Sequence, residues 1–285
     1  MFFYCMHYLR LLLIALVFIV LSPKIDAQQT QDSIKKESLW ELLKYDGKTA
    51  WGGLKHAYTR PLHWKGDDFL TLGGVALGTY ILYTFDEESS EYFINQKEDI
   101  PKVVRDFGWY FGAPQNTYML YGGIYGVGLF TRNEKLRHTG VLLIASASAA
   151  GFIQTLSKNA FGRARPLTFE GRGSFKPFSP EGAYHSFPSG HAILSFTTAH
   201  AIARQFDSWW VKAPIYAVGL ISPVSRLWEG SHWLTDVAVG MALSVVIVDS
   251  IDNHLKNEQK YQLKKKKITW RLQAGANRLG LVGTF

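Results

Sequence analysis

Cysteine is almost absent from this sequence, since Cys5 is the one thiol in 285 residues. It lies ahead of the first apolar segment, so a chain processed after that segment has no thiol for a disulfide, a metal site or a nucleophile. That position is also wrong for lipoprotein acylation. The sequence shows no obvious cluster of carboxylates that would bind Mg²⁺, and we predict no metal and no other cofactor.

A basic groove is missing as well, although the formal net charge is +8. Much of the excess comes from Lys256, Lys260 and the run Lys264–Lys267, so the charge is local to a tail near the C-terminus. Such a run is typical of a linker that faces water or lipid headgroups. We therefore expect no nucleic-acid partner.

The N-terminal segment has the features of a secretory signal peptide. Arg10 precedes an apolar core at Leu11–Leu21, and Ala27 offers a small residue for cleavage. The alternative is a retained anchor, but a bilayer crossing needs about 20 apolar residues and this core is shorter. We predict a signal peptide at residues 1–27, so that the chain after Gln28 begins outside the cytoplasm.

Six later stretches are rich in Ala, Gly, Leu and Ser and lack the alternation expected of strands. Polar or Pro/Gly-rich segments separate them, as expected for loops. The sequence therefore predicts an all-α fold, a six-helix bundle that a membrane could embed. The stretches are Phe69–Phe85, Tyr118–Phe130, Thr139–Ser157, Ala192–Ala203, Ala213–Val224 and Val237–Val248.

Long apolar runs are scarce, because only Thr139–Ser157 reaches the charge-free length of about 18 residues that argues for a membrane span. The shorter stretches fit core helices of a water-soluble bundle equally well. The mean hydropathy of −0.03 is low for a protein with many spans. Membrane embedding and a soluble bundle both remain open at this point.

Four consecutive parts follow from this pattern. They are the signal peptide at 1–27, an N-terminal helical lead-in at 28–65, the bundle at 66–254, and a basic linker with a C-terminal tail at 255–285. Partial alternation in Ile268–Phe285 predicts a strand pair or an extended tail. Two strands cannot close a barrel, so this tail is not expected to span a membrane.

The first of three polar blocks follows Thr139–Ser157 and reads Lys158-Asn-Ala-Phe-Gly-Arg-Ala-Arg165-Pro166. Seven helical positions make nearly two turns, so Lys158 and Arg165 should lie on the same face of the helix and bind one anion. Pro166 disfavours helical geometry at Arg165 and should help to end the helix there. The alternative is a basic helix end that complements the helix dipole.

The second block, Phe187-Pro188-Ser189-Gly190-His191, opens the Ala192–Ala203 stretch. Proline, serine and glycine are typical of a helix start, where free backbone N–H groups form a ready anion site. His191 would then lie in the first turn, beside a bound anion. An N-cap with a surface histidine is the alternative.

The third block is Ser225-Arg226-Leu-Trp-Glu-Gly-Ser-His232-Trp-Leu-Thr-Asp236. His232 and Asp236 are four positions apart, which on a helix makes them neighbours, so the carboxylate could accept a hydrogen bond from the imidazole. That bond would leave the other ring nitrogen free to attack. Arg226 adds a cation. A surface or capping pair is the alternative.

Together the blocks resemble the type 2 phosphatidic acid phosphatase (PAP2) superfamily, which includes class A acid phosphatases and vanadium haloperoxidases. Its pattern is Lys-x6-Arg-Pro, Pro-Ser-Gly-His and Ser-Arg-x5-His-x3-Asp, and all three parts match. The resemblance runs from about Thr139 to Asp249. It implies that residues 66–254 form a PAP2-like bundle with phosphatase activity, a phosphoric ester hydrolase.

The resemblance also implies a role for each matched residue. His232 becomes the nucleophile, Asp236 orients it, and His191 is the acid and base. The residues that hold the phosphoryl oxygens are Lys158, Arg165, Ser189, Gly190 and Arg226. The loop at 167–186, which contains Arg172, Lys176 and His185, is expected to lie over this site.

The implied substrate is a phosphorylated lipid, a monoester or a diphosphate, and the implied location is the cell envelope with the site facing the periplasm. Counting six crossings from Phe69 places the loop after Ser157 in the cytoplasm instead. Either one helix does not span, with Tyr118–Phe130 the best candidate, or the bundle is soluble or only peripherally attached. A further alternative is an uncleaved N-terminus that does not insert and leaves residues 28–65 inside. Three alternatives stay open. They are a soluble periplasmic acid phosphatase, a vanadium haloperoxidase, which bromide oxidation by the vanadate-loaded protein would reveal, and a non-enzymatic phosphate-binding envelope protein.

Overall fold

The computed structural model describes residues 37–257, 269–275 and 278–284, and the predicted signal peptide lies outside them. The described part contains nine α-helices and one strand pair, and the longest connection between helices is the segment 162–189. The helices are α1 Leu39–Thr59, α2 Gly66–Thr84, α3 Asp86–Asn95, α4 Lys102–Phe111, α5 Pro114–Phe130, α6 Glu134–Phe161, α7 Gly190–Ala203, α8 Trp209–Trp228 and α9 Leu234–Asn257.

The all-α prediction is confirmed, and each of the six apolar stretches forms a helix: α2 and α5 to α9. Polar caps fix two of the helix starts. The Asn133 side chain accepts a hydrogen bond from the Leu136 N–H at 3.1 Å at the start of α6. Ser38 and Glu41 form a reciprocal capping box at the start of α1.

The centre of the bundle is formed by α6, α7 and α9, whose facing side chains are almost completely buried. Small residues allow close helix approach, since a Cβ at Gly219 of α8 would lie 2.3 Å from the Ala199 Cβ of α7. The core members of α6, α7 and α9 include Leu142, Leu143, Ala145, Ile193, Val248 and Ile251.

Helix α1, within the predicted lead-in, is joined to the bundle through a buried ion pair. The Arg137 guanidinium of α6 donates to both Asp46 carboxylate oxygens at 2.7 and 2.8 Å. The Tyr125 hydroxyl of α5 donates to the same carboxylate at 3.0 Å. Arg137 and Asp46 are 6% and 1% exposed, so this pair is an interior contact.

Two described helices are long and apolar enough to cross a membrane, α6 and α9. Helices α2 and α3 together would supply a third span, although they are bent by 61° at Phe85. Helix α9 was ambiguous from the sequence because its apolar run is short, but the helix continues beyond Val237–Val248 at both ends to 24 residues. Helix α5 has 17 residues and does not qualify.

The C-terminal tail contains the predicted strand pair. Strand β1, Thr269–Gly275, pairs antiparallel with β2, Arg278–Thr284, in a register that places Thr269 opposite Thr284. The lysine run Lys264–Lys267 lies outside the described residues.

Candidate active site

The first block leaves the helix earlier than predicted. Helix α6 ends at Phe161, because Gly162 adopts a left-handed conformation with φ +56°. A Cβ at Gly162 would lie 1.8 Å from the Lys176 carbonyl oxygen, so glycine is required at this turn. The prediction that Lys158 and Arg165 share one helix face was therefore wrong, since only Lys158 is helical.

Arg165 lies in extended backbone with ψ 155°, as expected for a residue before proline. Its Nε donates to the Gly182 carbonyl at 3.0 Å and its Nη1 to the Ser231 carbonyl at 3.1 Å. These bonds hold the guanidinium between the loop after Pro166 and the third block.

The second block starts α7 as predicted. Ser189 is the N-cap, and its hydroxyl accepts a hydrogen bond from the Ala192 N–H at 3.4 Å. The Ser189 N–H donates to the Asp236 carbonyl at 3.0 Å, which joins the second block to the third. Gly190 packs against α6, where an added Cβ would lie 2.3 Å from the Gln154 amide nitrogen.

His191 lies in the first turn of α7, surrounded by the cations of the other blocks. Burial is the main cause that lowers its pKa to about 3, and the charges of Arg226, His232, Lys158 and Arg165 contribute to the same shift. Its buried Nε2 has no hydrogen-bond partner among the described residues. The imidazole is therefore neutral while the site is empty, and Nε2 is available to an anionic ligand.

His232 precedes α9 instead of lying on it, because the helix begins at Leu234. The predicted direct bond to Asp236 is absent, since Nδ1 is 3.8 Å from the nearer carboxylate oxygen. Nδ1 instead contacts the Ser186 carbonyl at 2.7 Å. A carbonyl only accepts, so Nδ1 carries the proton and Nε2 keeps its lone pair. Burial lowers the pKa of His232 to about 4, although Asp236 opposes this effect.

Asp236 is completely buried and both of its oxygens accept hydrogen bonds. Oδ2 accepts from the Ser186 hydroxyl at 2.5 Å and from the Trp233 N–H at 2.9 Å. Oδ1 accepts from Arg163 Nη1 at 2.7 Å. Asp236 therefore fixes Ser186, whose carbonyl in turn fixes the His232 ring.

Sequence reasoning missed the second half of this network. Arg163 Nη2 donates to Asp86 at 2.7 Å, and Asp86 accepts from the Thr235 N–H at 2.9 Å and from its hydroxyl at 2.5 Å. Arg163 is inside the first block, and Asp86 directly follows the apolar stretch Phe69–Phe85. Asp86 is the first of three consecutive acidic residues, so its sequence context does not single it out from Glu87 and Glu88.

Arg226 is 1% exposed at the end of α8. Its Nε and Nη2 donate to the Ser225 hydroxyl at 3.2 and 3.0 Å, while the buried Nη1 has no partner among the described residues. Its guanidinium lies 4.7 Å from the ring centre of Trp109, which sequence reasoning also missed. Gly108 permits this approach, because a Cβ there would lie 2.3 Å from the Ser225 hydroxyl.

Contacts within the loop at 167–186 and with the end of α2 hold several of its polar side chains. Arg172 Nη1 donates to the carbonyls of Tyr83 and Thr84 at 3.0 and 2.5 Å. One His185 ring nitrogen contacts the Ser179 carbonyl at 2.9 Å. Lys176, Tyr184 and Glu170 contact one another. The loop reaches the site through Gly182, whose carbonyl accepts from Arg165, and through Ser186, which contacts His232 and Asp236.

Two histidines and three buried or half-buried cations thus meet at one end of a helical bundle, as in a phosphoryl-transfer site. The family model described as the PAP2 superfamily matches residues 139–250, a range that contains all three blocks. This match confirms the resemblance over that part of the chain and supports a phosphoric ester hydrolase.

Two solved structures are similar to this chain. LpxE from Aquifex aeolicus is 20% identical, with a TM-score of 0.43, and the match covers 56% of this chain and 92% of that one. The transmembrane PAP2-type phosphatidylglycerolphosphate phosphatase from Bacillus subtilis is 19% identical, with a TM-score of 0.48, over 67% and 98% of the chains. No curated protein sequence matches significantly.

Proposed function

We propose that this protein is an envelope phosphatase that needs no metal and transfers the phosphoryl group of its substrate to His232. Nε2 of His232 attacks phosphorus, the bond to the leaving oxygen breaks, and a phosphohistidine forms. Lys158, Arg165 and Arg226 supply the positive charge that stabilises the phosphoryl oxygens in the transition state. Ser189 and the Gly190 N–H add hydrogen bonds at the start of α7.

The observation that carries this proposal is the state of the two imidazoles. Burial holds both pKa values far below the usual range, and the Ser186 carbonyl fixes the proton of His232 on Nδ1. His232 is therefore a neutral nucleophile with its lone pair on Nε2. His191 carries no fixed partner on Nε2 and is surrounded by cations that an anion would neutralise.

His191 acts in both half-reactions. When a phosphate ester binds, its negative charge raises the pKa of His191, which then donates a proton to the leaving oxygen. The neutral imidazole next takes a proton from water, and the hydroxide attacks the phosphohistidine. Inorganic phosphate leaves and His232 is regenerated, so one water is consumed for each ester that is cleaved.

A lipid phosphate is the substrate class we propose. The described residues include two candidate membrane-spanning helices, and α2 contains no buried residue although its sequence is strongly apolar. Exposed apolar area of this kind is typical of a membrane-facing surface. The side chains concerned include Phe69, Leu70, Leu77, Tyr80 and Ile81, which are 50–75% exposed.

We further propose that the site faces the periplasm, because the N-terminal segment resembles a cleaved signal peptide. Six crossings would place the site on the opposite face, but α5 does not qualify as a span. If the bent pair α2–α3 counts as one span, the chain without α5 crosses the membrane twice by the end of α6, and the loop after α6 emerges on the side where the chain begins. This restores agreement with the signal peptide.

Phosphoenzyme trapping tests the mechanism. Wild-type protein mixed with a ³²P-labelled ester and quenched in alkali should retain an acid-labile label, since phosphohistidine is unstable in acid. His232→Ala should retain no label, and its kcat should fall by at least about 10⁴-fold. His63→Ala, in the exposed turn before α2, is the matched control and should keep both. Label on His232→Ala, or activity that EDTA destroys, would contradict the mechanism.

Carbonate extraction and substrate comparison test the location and the substrate class. The protein should stay in the membrane pellet and hydrolyse phosphatidate or a polyprenyl diphosphate faster than a small aryl phosphate. Release into the soluble periplasm with turnover of the aryl phosphate alone would overturn the lipid assignment and leave the mechanism in place.

A further inference from the structure

A cavity of about 340 Å³ adjoins the phosphoryl site. Helix α4, the turn before it and the end of α8 supply its walls. Helix α4 lies outside the range that the family model matches, so the three motif blocks do not define this cavity. Its lining includes Trp109 and four cations, Lys97, Lys102, Arg105 and Arg226.

The two lysines are already paired with the carboxylates of the same cavity. Lys97 Nζ lies 2.8 Å from Glu229, and Lys102 Nζ lies 2.8 Å from Asp106. These four side chains are 29–58% exposed, so the pairs are at the rim. Four cations against two carboxylates leave two positive charges in the lining, and the two arginines carry them.

The two arginines have unused donors that point to a missing anion. Arg226 is 1% exposed, and its Nη1 has no hydrogen-bond partner among the described residues. Arg105 Nε is likewise buried without a partner in that part of the chain. The carboxylate of Glu98 is 3.9 Å from Arg105 and its side chain is 86% exposed, so this contact is weak. A buried charged donor that makes no hydrogen bond lowers the stability of the folded protein.

The cavity and the phosphoryl site share one wall. Arg226 belongs to the third motif block and also lines the cavity. Trp109 lies under its guanidinium at 4.7 Å, and the same ring is 5.0 Å from the His191 ring. An anion bound between Arg105 and Arg226 would therefore be adjacent to the phosphoryl group held by His191 and His232.

We propose that this cavity is a second anion subsite, which takes the proximal phosphate when the substrate is a diphosphate. The inference rests on the proposed phosphatase function and adds the residues that choose the substrate. Arginine suits this role because its planar fork binds two phosphate oxygens at once. A monophosphate fills only the first site and leaves the Arg105 donor unused.

The reaction then balances as one hydrolysis. His232 attacks the terminal phosphorus and the bond to the bridging oxygen breaks. The bridging oxygen leaves on the proximal phosphate with the electron pair and takes the proton of His191, while Arg105 and Arg226 hold the charged oxygens of this phosphate. Water releases inorganic phosphate from His232, so the products are one monophosphate and one phosphate ion.

Paired substrates test the subsite. Geranyl diphosphate and geranyl phosphate share one organic group, and the quantity to compare is the ratio of their kcat/KM values. In Arg105→Gln the diphosphate/monophosphate ratio should fall about 10- to 100-fold, the loss expected for a charge-assisted hydrogen bond. In Arg105→Lys the diphosphate/monophosphate ratio should fall less, because lysine keeps the positive charge. Arg60→Gln, in an ion pair outside the cavity, is the control and should keep the wild-type ratio.

Binding to the His232→Ala protein removes chemistry from the comparison. Methylenediphosphonate should bind more weakly after Arg105→Gln is added, while methylphosphonate should bind equally in both proteins. An unchanged kcat/KM ratio, or equal loss for both geranyl substrates, would overturn the subsite and leave the phosphatase proposal standing. If neither geranyl phosphate nor geranyl diphosphate forms a phosphohistidine, the phosphatase mechanism is contradicted, and the subsite proposal that rests on it fails as well.

Discussion

Arg163 donates to Asp236 at 2.7 Å with one guanidinium nitrogen and to Asp86 at 2.7 Å with the other. The arginine is 3% exposed and the two carboxylates are completely buried. Asp236 faces Arg163 on one oxygen and Ser186 on the other, and the Ser186 carbonyl contacts His232. Arg163 is therefore a positioning residue, since it acts on the nucleophile through two intermediaries.

Replacing Arg163 should reduce turnover more than substrate binding. Arg163→Met frees the Asp236 carboxylate to rotate, and small displacements of a reacting group cost about 10²-fold in kcat. KM should change by less than about threefold. Arg163→Lys should recover part of kcat because it keeps one charged donor.

Loss of a buried charge partner also lowers stability by about 3–5 kcal/mol, so a matched control is needed. Arg204 at the opposite end of α7 contacts Asp252 at 2.5 Å. Arg204→Met should lower the unfolding temperature but keep kcat. Equal kcat losses in both variants would mean that Arg163 contributes only stability. The measurements are steady-state kinetics and thermal unfolding in detergent.

Anion binding should be coupled to protonation of His191. Burial and the surrounding cations lower its pKa to about 3 in the empty site, and a bound anion reverses the effect of those charges. His191 is therefore protonated to a greater extent in the protein with a bound anion than in the free protein. Sulfate keeps its charge over this range, so its affinity should rise as the pH falls from about 6 towards 4, by at most tenfold per pH unit.

Isothermal titration of sulfate at several pH values measures this coupling. His191→Gln should bind sulfate with an affinity that is nearly independent of pH. His232→Gln should keep most of the dependence, which separates the two histidines. A wild-type affinity that does not change between pH 6 and pH 4 would show that His191 stays neutral in the complex.

Substitution of Gly162 should affect stability and the site together. Gly162→Ala places a Cβ at φ +56°, 1.8 Å from the Lys176 carbonyl oxygen. Left-handed geometry and overpacking together should cost about 2–5 kcal/mol. The kcat should also fall, because the displaced turn carries Arg163 and Arg165.

Gly47→Ala in α1 is the control for this substitution. No atom lies within 4 Å of a Cβ at Gly47, and alanine favours a helix by up to about 1 kcal/mol. This variant should be as stable as the wild type or slightly more so. A Gly162→Ala protein with the same unfolding temperature as Gly47→Ala would contradict the role assigned to the turn.

The six apolar helices and the start of α7 at Gly190 could be predicted from sequence because they depend on local composition and caps, whereas α3 and α4 were not predicted. The end of α6 was predicted too late, because Pro166 indicates a stop but the helix already ends at Gly162, which is left-handed and lies too close to the Lys176 carbonyl for any Cβ. The prediction from helical periodicity therefore placed Arg165 on α6, whereas it lies in the extended segment after that helix.

The partner of His232 was missed for a similar reason. A spacing of four suggests a helical pair, but the helix begins two residues after His232 and the ring turns to the Ser186 carbonyl. Backbone acceptors have no signature in sequence. Trp109 and Arg105 were missed because they come from a helix that carries no motif.

The buried contact between Arg137 and Asp46 bears on where the catalytic domain can be cut for expression. A fragment starting at Gly66 keeps every motif residue but removes the carboxylate that the interior guanidinium binds at 2.7 and 2.8 Å. Loss of one partner of such a pair costs about 3–5 kcal/mol, a large share of the stability of most domains. The smallest independently folding catalytic fragment should therefore begin near Ser38, and limited proteolysis should spare Leu39–Thr59.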